Sequence, residues 1–348
     1  MKVKKIQQLF NLFPEKPEKV FWWMALKCNL TCNHCDIGKN THKQHDCDDT
    51  EKLSLQQKKV IVDRIADWIG KPFSLSFFAG EPLLNKDILP LIGHATTRGA
   101  ISSITTNGTL IYSQEKAETI VNSGLTYISI SLDGWKSGIH DKSRGLVGAR
   151  QKVLDAVKYL QAAKKKLGKD TPKIYINSII MKENLKDLID IVKWVKRKKI
   201  DSVTFQPLAA TEFFGSEKPY DKYWFKDSEL WPDYDEVIKF IDKLEEMKAE
   251  GYPIGNSDSD FKKFRRYFKN PEEFALSESC EQELSTMSIT DNGKIKMCPG
   301  SEEDFGSALD GDLTKMWRGD AARRARQHVF ECTSQCKILA YNKEDFYF

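Results

Sequence analysis

The sequence predicts an α/β protein organised on a parallel sheet. Three observations carry that expectation: short apolar strands alternate with amphipathic helices through six repeats, each helix is long enough for a right-handed crossover, and the polar turn motifs come directly after the strands. The first strand is the run 20–27, which contains Phe21, Trp22, Trp23 and Met24. A polar loop through residues 38–47 follows, without periodicity. Helix 54–69 opens on Ser54 as its N-cap. Strand 73–78, helix 87–98, strand 101–105, helix 113–123 and strand 126–132 come next. Helix 147–167 places Val153, Val157 and Leu160 on one face, strand 173–180 alternates, helix 185–199 carries Leu188, Val192 and Val195, and strand 202–206 is the sixth. In parallel folds of this kind the ligand sits at the C-terminal ends of the strands.

The rest of the chain divides around this repeat. Residues 1–19 read as a lead-in in which Pro14 and Pro17 stop any helix. Residues 20–207 hold the repeat. Residues 208–279 are an aromatic-rich bridging segment (Phe213, Phe214, Tyr220, Tyr223, Trp224, Phe225, Trp231, Tyr234) with an amphipathic helix near 234–250. Those aromatics read either as a packing layer or as a lid over a substrate cavity. Residues 280–348 form a cysteine-bearing end.

Composition excludes several classes. Lys and Arg number 54 against 50 Asp and Glu, a net charge of +4 that is too small and scattered for a nucleic-acid partner. No apolar run approaches the ~18–20 residues of a membrane span. The first ten residues are basic but lack the apolar core of a signal peptide. The expected location is therefore cytoplasmic, where the 8 cysteines are better read as metal ligands than as disulfides.

Cys28, Cys32 and Cys35 are spaced C-x3-C-x2-C on the loop after the first strand. Soft sulfur ligands favour Zn, Cu(I) or iron–sulfur clusters. A structural zinc site asks for four ligands, so the three cysteines would need a fourth from His34, His42, His45 or Cys47. A [4Fe-4S] cluster on three cysteines leaves one iron open.

That spacing resembles the defining motif of the radical S-adenosylmethionine (SAM) superfamily, in which the open iron chelates SAM. The resemblance covers roughly residues 20–206 and implies a partial (βα)6 TIM-like barrel. Where the family has an aromatic residue before the third cysteine, this chain has His34. Ala79-Gly80-Glu81-Pro82 is similar to the family's G-G-E-P segment, with Ala79 for the first glycine, and implies that Glu81 meets the methionyl amine. Thr106-Asn107-Gly108 resembles the T-N-G turn, and Ser131-Leu132-Asp133-Gly134 the S-L-D-G turn, so Asn107, Ser131 and Asp133 are implied SAM contacts. Arg144 is similar to an arginine that binds the SAM carboxylate. Asn177 and Gln206 occupy positions that touch ribose or substrate in relatives.

The second cysteine group reads C-x12-G-x4-C from Cys280 through Gly293 to Cys298, then C-x3-C at Cys332 and Cys336. Residues 288–297 read as a hairpin on Asn292-Gly293. By spacing alone these four cysteines suit a zinc site. The pattern also resembles the SPASM/twitch extension of radical SAM enzymes, as does Leu313-Thr314-Lys315-Met316-Trp317-Arg318. That likeness, covering roughly 280–340, implies a small hairpin-plus-helix twitch domain holding a second, auxiliary [4Fe-4S] cluster.

The resemblance implies reductive cleavage of SAM to a 5′-deoxyadenosyl radical, hydrogen abstraction from a substrate C–H, and a flavodoxin- or ferredoxin-type electron donor. With an auxiliary cluster to take a second electron, the expected outcome is net oxidation of a peptide or carbohydrate-type substrate, with nucleotides a further class. Epimerisation with Cys47 as hydrogen donor is the alternative outcome. A non-catalytic iron–sulfur or zinc scaffold is the alternative class.

Overall fold

A computed structural model of the chain describes residues 13–24, 27–35, 37, 53–210, 221–280, 284–298, 300, 301 and 303–339. Its strands and helices are β1 (Lys19–Trp23), α1 (Leu55–Ile69), β2 (Phe73–Phe78), α2 (Ile88–Thr97), β3 (Ala100–Thr106), α3 (Gln114–Asn122), β4 (Tyr127–Ser131), α4 (Ser137–Arg144), α5 (Ala149–Leu167), β5 (Lys173–Ile180), α6 (Leu185–Lys198) and β6 (Ser202–Pro207). Then come α7 (Tyr234–Ala249), α8 (Asp258–Lys269), α9 (Pro271–Ser277), β7 (Thr286–Ile289), β8 (Ile295–Lys296), α10 (Leu313–Arg318) and α11 (Asp320–Glu331). The sheet runs β6-β5-β4-β3-β2-β1-β7-β8, and all pairs are parallel except β7–β8.

The parallel α/β expectation holds, with small shifts at element ends. The first strand stops at Trp23 instead of running to 27; beyond it, Met24 N donates to Phe78 O at 3.1 Å. Ser54 caps α1 as expected, in a reciprocal pair in which Gln57 N donates to Ser54 Oγ and Ser54 N to Gln57 Oε1. The long helix begins at 149 because Gly148 before it is left-handed, at φ +81°. Val153, Val157 and Leu160 of α5 and Leu188, Val192 and Val195 of α6 are buried, as their spacing predicts. Each contributes about 1.5–3 kcal/mol by leaving water. They pack into one core with Ile128, Ile130, Ile174 and Ile176 of the strands.

Helix α4, the placement of the C-terminal hairpin and the helices after α7 were not expected. The C-terminal hairpin does not stand apart: β7 lies parallel beside β1, with Val20 opposite Met287 and Trp22 opposite Ile289, so the barrel sheet continues into it. Trp22, fully buried, donates from Nε1 to Thr290 O at 3.2 Å across that seam. In the bridging segment, α8 and α9 follow α7. Trp224 and Phe225 pack on Trp231, which packs on Tyr267 and Phe268 of α8, as a packing layer would. Phe213, Phe214 and Tyr220 lie outside the described residues.

Candidate active site

The loop after β1 carries three free thiols, Cys32 buried, Cys28 and Cys35 half-buried. Two neighbouring turns hold it. From the turn after β3, Asn107 Nδ2 donates to Asn29 Oδ1 (2.9 Å) and reaches 3.9 Å from Cys28 Sγ, while Asn29 Nδ2 donates to Thr109 Oγ1 (2.8 Å). From the end of α4, Ser143 O accepts from Asn33 N (3.0 Å), and Arg144 Nη1 stands 3.9 Å from Cys32 Sγ. Gly145, at φ +67°, closes the second contact. A Cβ there would lie 2.2 Å from Thr31 Oγ1, so only glycine lets the turn approach the loop.

Glu81 is fully buried after β2, and its carboxylate is already committed. Oε1 accepts from Leu83 N (3.0 Å) and Thr106 Oγ1 (2.7 Å), and Oε2 from Asn107 N (2.7 Å). Burial pushes its pKa up against these donors. The carboxylate thus clamps the turn after β2 to the turn after β3. The backbone before it is strained to bring it there: Ala79 sits at φ +71° and Gly80 at +59°, and Glu81 N donates to Lys27 O just ahead of the cysteines (2.9 Å). An L-residue in that region costs on the order of 1–2 kcal/mol. Pro82, buried, starts the short 3-10 turn Pro82–Leu84.

Asp133, fully buried at the end of β4, is the second hub. Oδ1 accepts from Ile179 N (2.9 Å), and Oδ2 lies 2.6 Å from Arg144 Nη2. Its N–H donates to His140 Nδ1 (3.0 Å), and its carbonyl accepts from Asn184 Nδ2 (2.8 Å). Burial would raise the Asp133 pKa, but Arg144, helped by His34 and His140, holds it below the usual range. Burial, with Arg144 beside it, pushes His140 down to about 4, which matches an imidazole that accepts at Nδ1.

Arg144 therefore spans a carboxylate and a cluster-loop sulfur. Its buried Nε has no partner among the described residues, a donor that still suits the carboxylate contact implied by resemblance. Ser131 is buried at the end of β4. On the half-buried face of the neighbouring strands, Asn177 Nδ2 donates to Gln206 Oε1 (3.2 Å) and Asn177 Oδ1 accepts from Thr204 Oγ1 (3.3 Å), so these two expected residues meet. Cys47 lies outside the described residues.

The C-terminal cysteines are all half-buried, and none of the four is in a disulfide. Cys280 follows α9, Cys298 follows β8, Cys332 ends α11, and Cys336 lies in the 3-10 turn Gln335–Leu339. Sequence reading placed Thr106 in the T-N-G turn without giving it a role, and it missed Asn29, His140, Ser143 and Asn184. Of the four missed residues, only Asn184, just before α6, had a local signal, the Asn that often precedes a helix.

Among the described residues no three His, Cys, Asp or Glu side chains converge on a point that would hold a single metal ion. The fit to a cluster is one of donor chemistry. Burial pushes Cys28 up to about 11 and raises Cys32, with only N–H groups and Arg144 opposing. Buried, uncrosslinked thiols of this kind are donors that bound iron would hold as thiolates. The N–H groups of Asn107 and Arg144 already face two of the three sulfurs.

A mostly parallel α/β sheet with a thiol loop at the C-terminal end of its first strand defines an α/β-barrel type of protein. A family model described as "Radical SAM superfamily" matches residues 24–201, just over half the chain, and the protein belongs to that superfamily. It is an enzyme whose cofactors are a [4Fe-4S] cluster and SAM. The chain is 32% identical over 200 residues to the Fe-coproporphyrin III synthase of Methanosarcina barkeri, a match covering 58% of this chain and 46% of that protein. It is 24% identical over 345 residues to the AdoMet-dependent heme synthase of Oleidesulfovibrio alaskensis, covering 93% and 80%. Among solved structures it resembles Streptococcus suis SuiB bound to precursor peptide SuiA, with a TM-score of 0.66, 20% identity, and coverage of 93% of this chain and 69% of that one.

Proposed function

We propose that Cys28, Cys32 and Cys35 hold the SAM-binding cluster, that Cys280, Cys298, Cys332 and Cys336 hold an auxiliary one, and that the enzyme performs net oxidation of a substrate C–H bond. When bound, the reduced cluster and SAM supply the 5′-deoxyadenosyl radical that takes the hydrogen. The chain's own part is placement and shielding. Asn107 and Arg144 present N–H donors to the sulfurs, Glu81 and Asp133 fix the turns that carry those donors, and Asn177 and Gln206 offer a polar surface on the barrel face for ribose or substrate.

The observation that carries this reading is that the turns after β2, β3 and β4, each expected from sequence, join the cysteine loop in one hydrogen-bonded constellation. For the substrate, the likeness to a heme synthase along 93% of the chain, more than the barrel alone, supports a tetrapyrrole. A flavodoxin- or ferredoxin-type donor supplies the electrons. Among the described residues no helix is long and apolar enough to cross a membrane.

The test is to incubate the anaerobically reconstituted protein with SAM, dithionite and either an iron porphyrin bearing carboxylate side chains or a panel of peptides. Formation of 5′-deoxyadenosine accelerated by the porphyrin, with a product lighter than substrate, supports the reading. Acceleration by a peptide alone would reassign the substrate.

A further inference from the structure

The 3-10 turn that carries Cys336 is fastened on two sides by side chains with no place in the mechanism above. Lys337, buried, donates from Nζ to Ala275 O (2.8 Å) and Glu278 O (2.9 Å), closing the end of α9 just before Cys280. Gln335, only 1% exposed, faces the other way. Its Oε1 accepts from Trp224 Nε1 and its Nε2 donates to Lys222 O, both at 2.7 Å. A buried amide meeting a complementary donor and acceptor on one short segment is a specific clamp, and unmaking it leaves buried polar groups unpaired.

The segment it grips continues to the barrel mouth. Trp224 packs edge-on to Trp231 with ring centroids 5.6 Å apart. Leu230 O accepts from Lys182 N (2.8 Å) just past the C-terminal end of β5. Tyr267, against Trp231, donates its hydroxyl to Leu208 O after β6 (2.9 Å). The strand ends so reached are those of Asn177 and Gln206.

We propose that Gln335 couples the C-terminal thiol site to the seating of residues 221–231: with the site filled, the turn holds Gln335 in place and the aromatic segment is fixed beside the barrel mouth. Gln335 is a positioning residue. The proposal rests on the reading of Cys280, Cys298, Cys332 and Cys336 as ligands of a second cluster.

Hydrogen exchange followed by mass spectrometry on the full-length reconstituted protein tests it, with iron counted on the same samples. In Cys332→Ser/Cys336→Ser, exchange across 221–231 should quicken about tenfold while α5 stays protected, because the opening is local. Gln335→Met, of similar volume but unable to make either bond, should show the same local change while keeping its iron. The shorter Gln335→Asn, which withdraws the amide, should do likewise. Cys28→Ala/Cys32→Ala/Cys35→Ala should leave 221–231 as in wild type. Wild-type exchange in the Gln335 variants, or in a Cys332→Ser/Cys336→Ser protein that has lost about four iron atoms, overturns the coupling alone. If that double variant holds as much iron as wild type, the second-cluster reading fails and the coupling falls with it.

Discussion

Arg144 Nη2 lies 2.6 Å from Asp133 Oδ2, and the same guanidinium stands 3.9 Å from Cys32 Sγ, so one buried ion pair ties the end of β4 to the cysteine loop. Removing one partner of such a pair strands the other's charge, which costs about 3–5 kcal/mol, whereas replacing both costs less. Asp133→Asn should lower stability by that amount in urea unfolding of the iron-free protein. Asp133→Asn with Arg144→Met should recover part of it. Additive losses in the double variant would show that the pair is not coupled.

His140 makes the same corner acid-sensitive. Its folded pKa, about 4, lies below the ordinary 6.5, so between these values the unfolded chain binds the extra proton. The stabilisation is complete above the ordinary value and drains away as pH falls through the window toward 4. It amounts to about 3 kcal/mol at most. Unfolding free energies from pH 7.5 down to 4.5 should show this slope, and His140→Asn, which keeps an acceptor for Asp133 N–H without titrating, should flatten it. An unchanged slope in that variant would place the acid sensitivity elsewhere.

Gly145→Ala is expected to be far worse than a surface Gly→Ala change, since the new Cβ meets Thr31 Oγ1 at 2.2 Å in a backbone with φ +67°. Iron retention after reconstitution and gel filtration should fall below half of wild type, by a ΔΔG of roughly 2–3 kcal/mol. Thr31→Ala should restore part of it by removing the obstructing hydroxyl. Full iron in the single variant would mean the turn does not govern the loop.

Most of the fold was legible because it is written locally. Alternating strands such as 173–180 and one-sided helices such as α6 reveal themselves by period alone. The turn motifs were legible as places but not as contacts. The resemblance puts Glu81 at the methionyl amine; the three hydrogen bonds that its carboxylate accepts from Leu83, Thr106 and Asn107 were not foreseen. Nothing in one sequence reports which of two polar partners a buried carboxylate takes. Helix α4 was missed because Ser137, Gly138 and its charged residues look like a loop, and it forms where Asp133, His140 and Arg144 anchor it. The pairing of β7 with β1 is a long-range choice between edges that no local pattern encodes.

A prediction for Glu81→Gln follows from those three hydrogen bonds. The amide replaces one acceptor by a donor that faces N–H or O–H groups, which costs roughly 1–3 kcal/mol. Stability of the iron-free protein and SAM affinity should both fall, the first because the turns after β2 and β3 separate. Unchanged stability with weakened SAM binding alone would return Glu81 to the direct contact that resemblance implies.

The central claim is that the two thiol groups are two cluster sites, one of which works on SAM. Its most direct test is iron and acid-labile sulfide per chain after anaerobic reconstitution, read beside 5′-deoxyadenosine formed from SAM and dithionite. The account predicts about eight iron atoms in wild type, about four in Cys28→Ala/Cys32→Ala/Cys35→Ala, and about four in Cys332→Ser/Cys336→Ser. 5′-Deoxyadenosine should be abolished only in the first variant. Wild type with about four iron atoms and zinc at the C-terminal cysteines, or 5′-deoxyadenosine that survives loss of Cys28, Cys32 and Cys35, would contradict it.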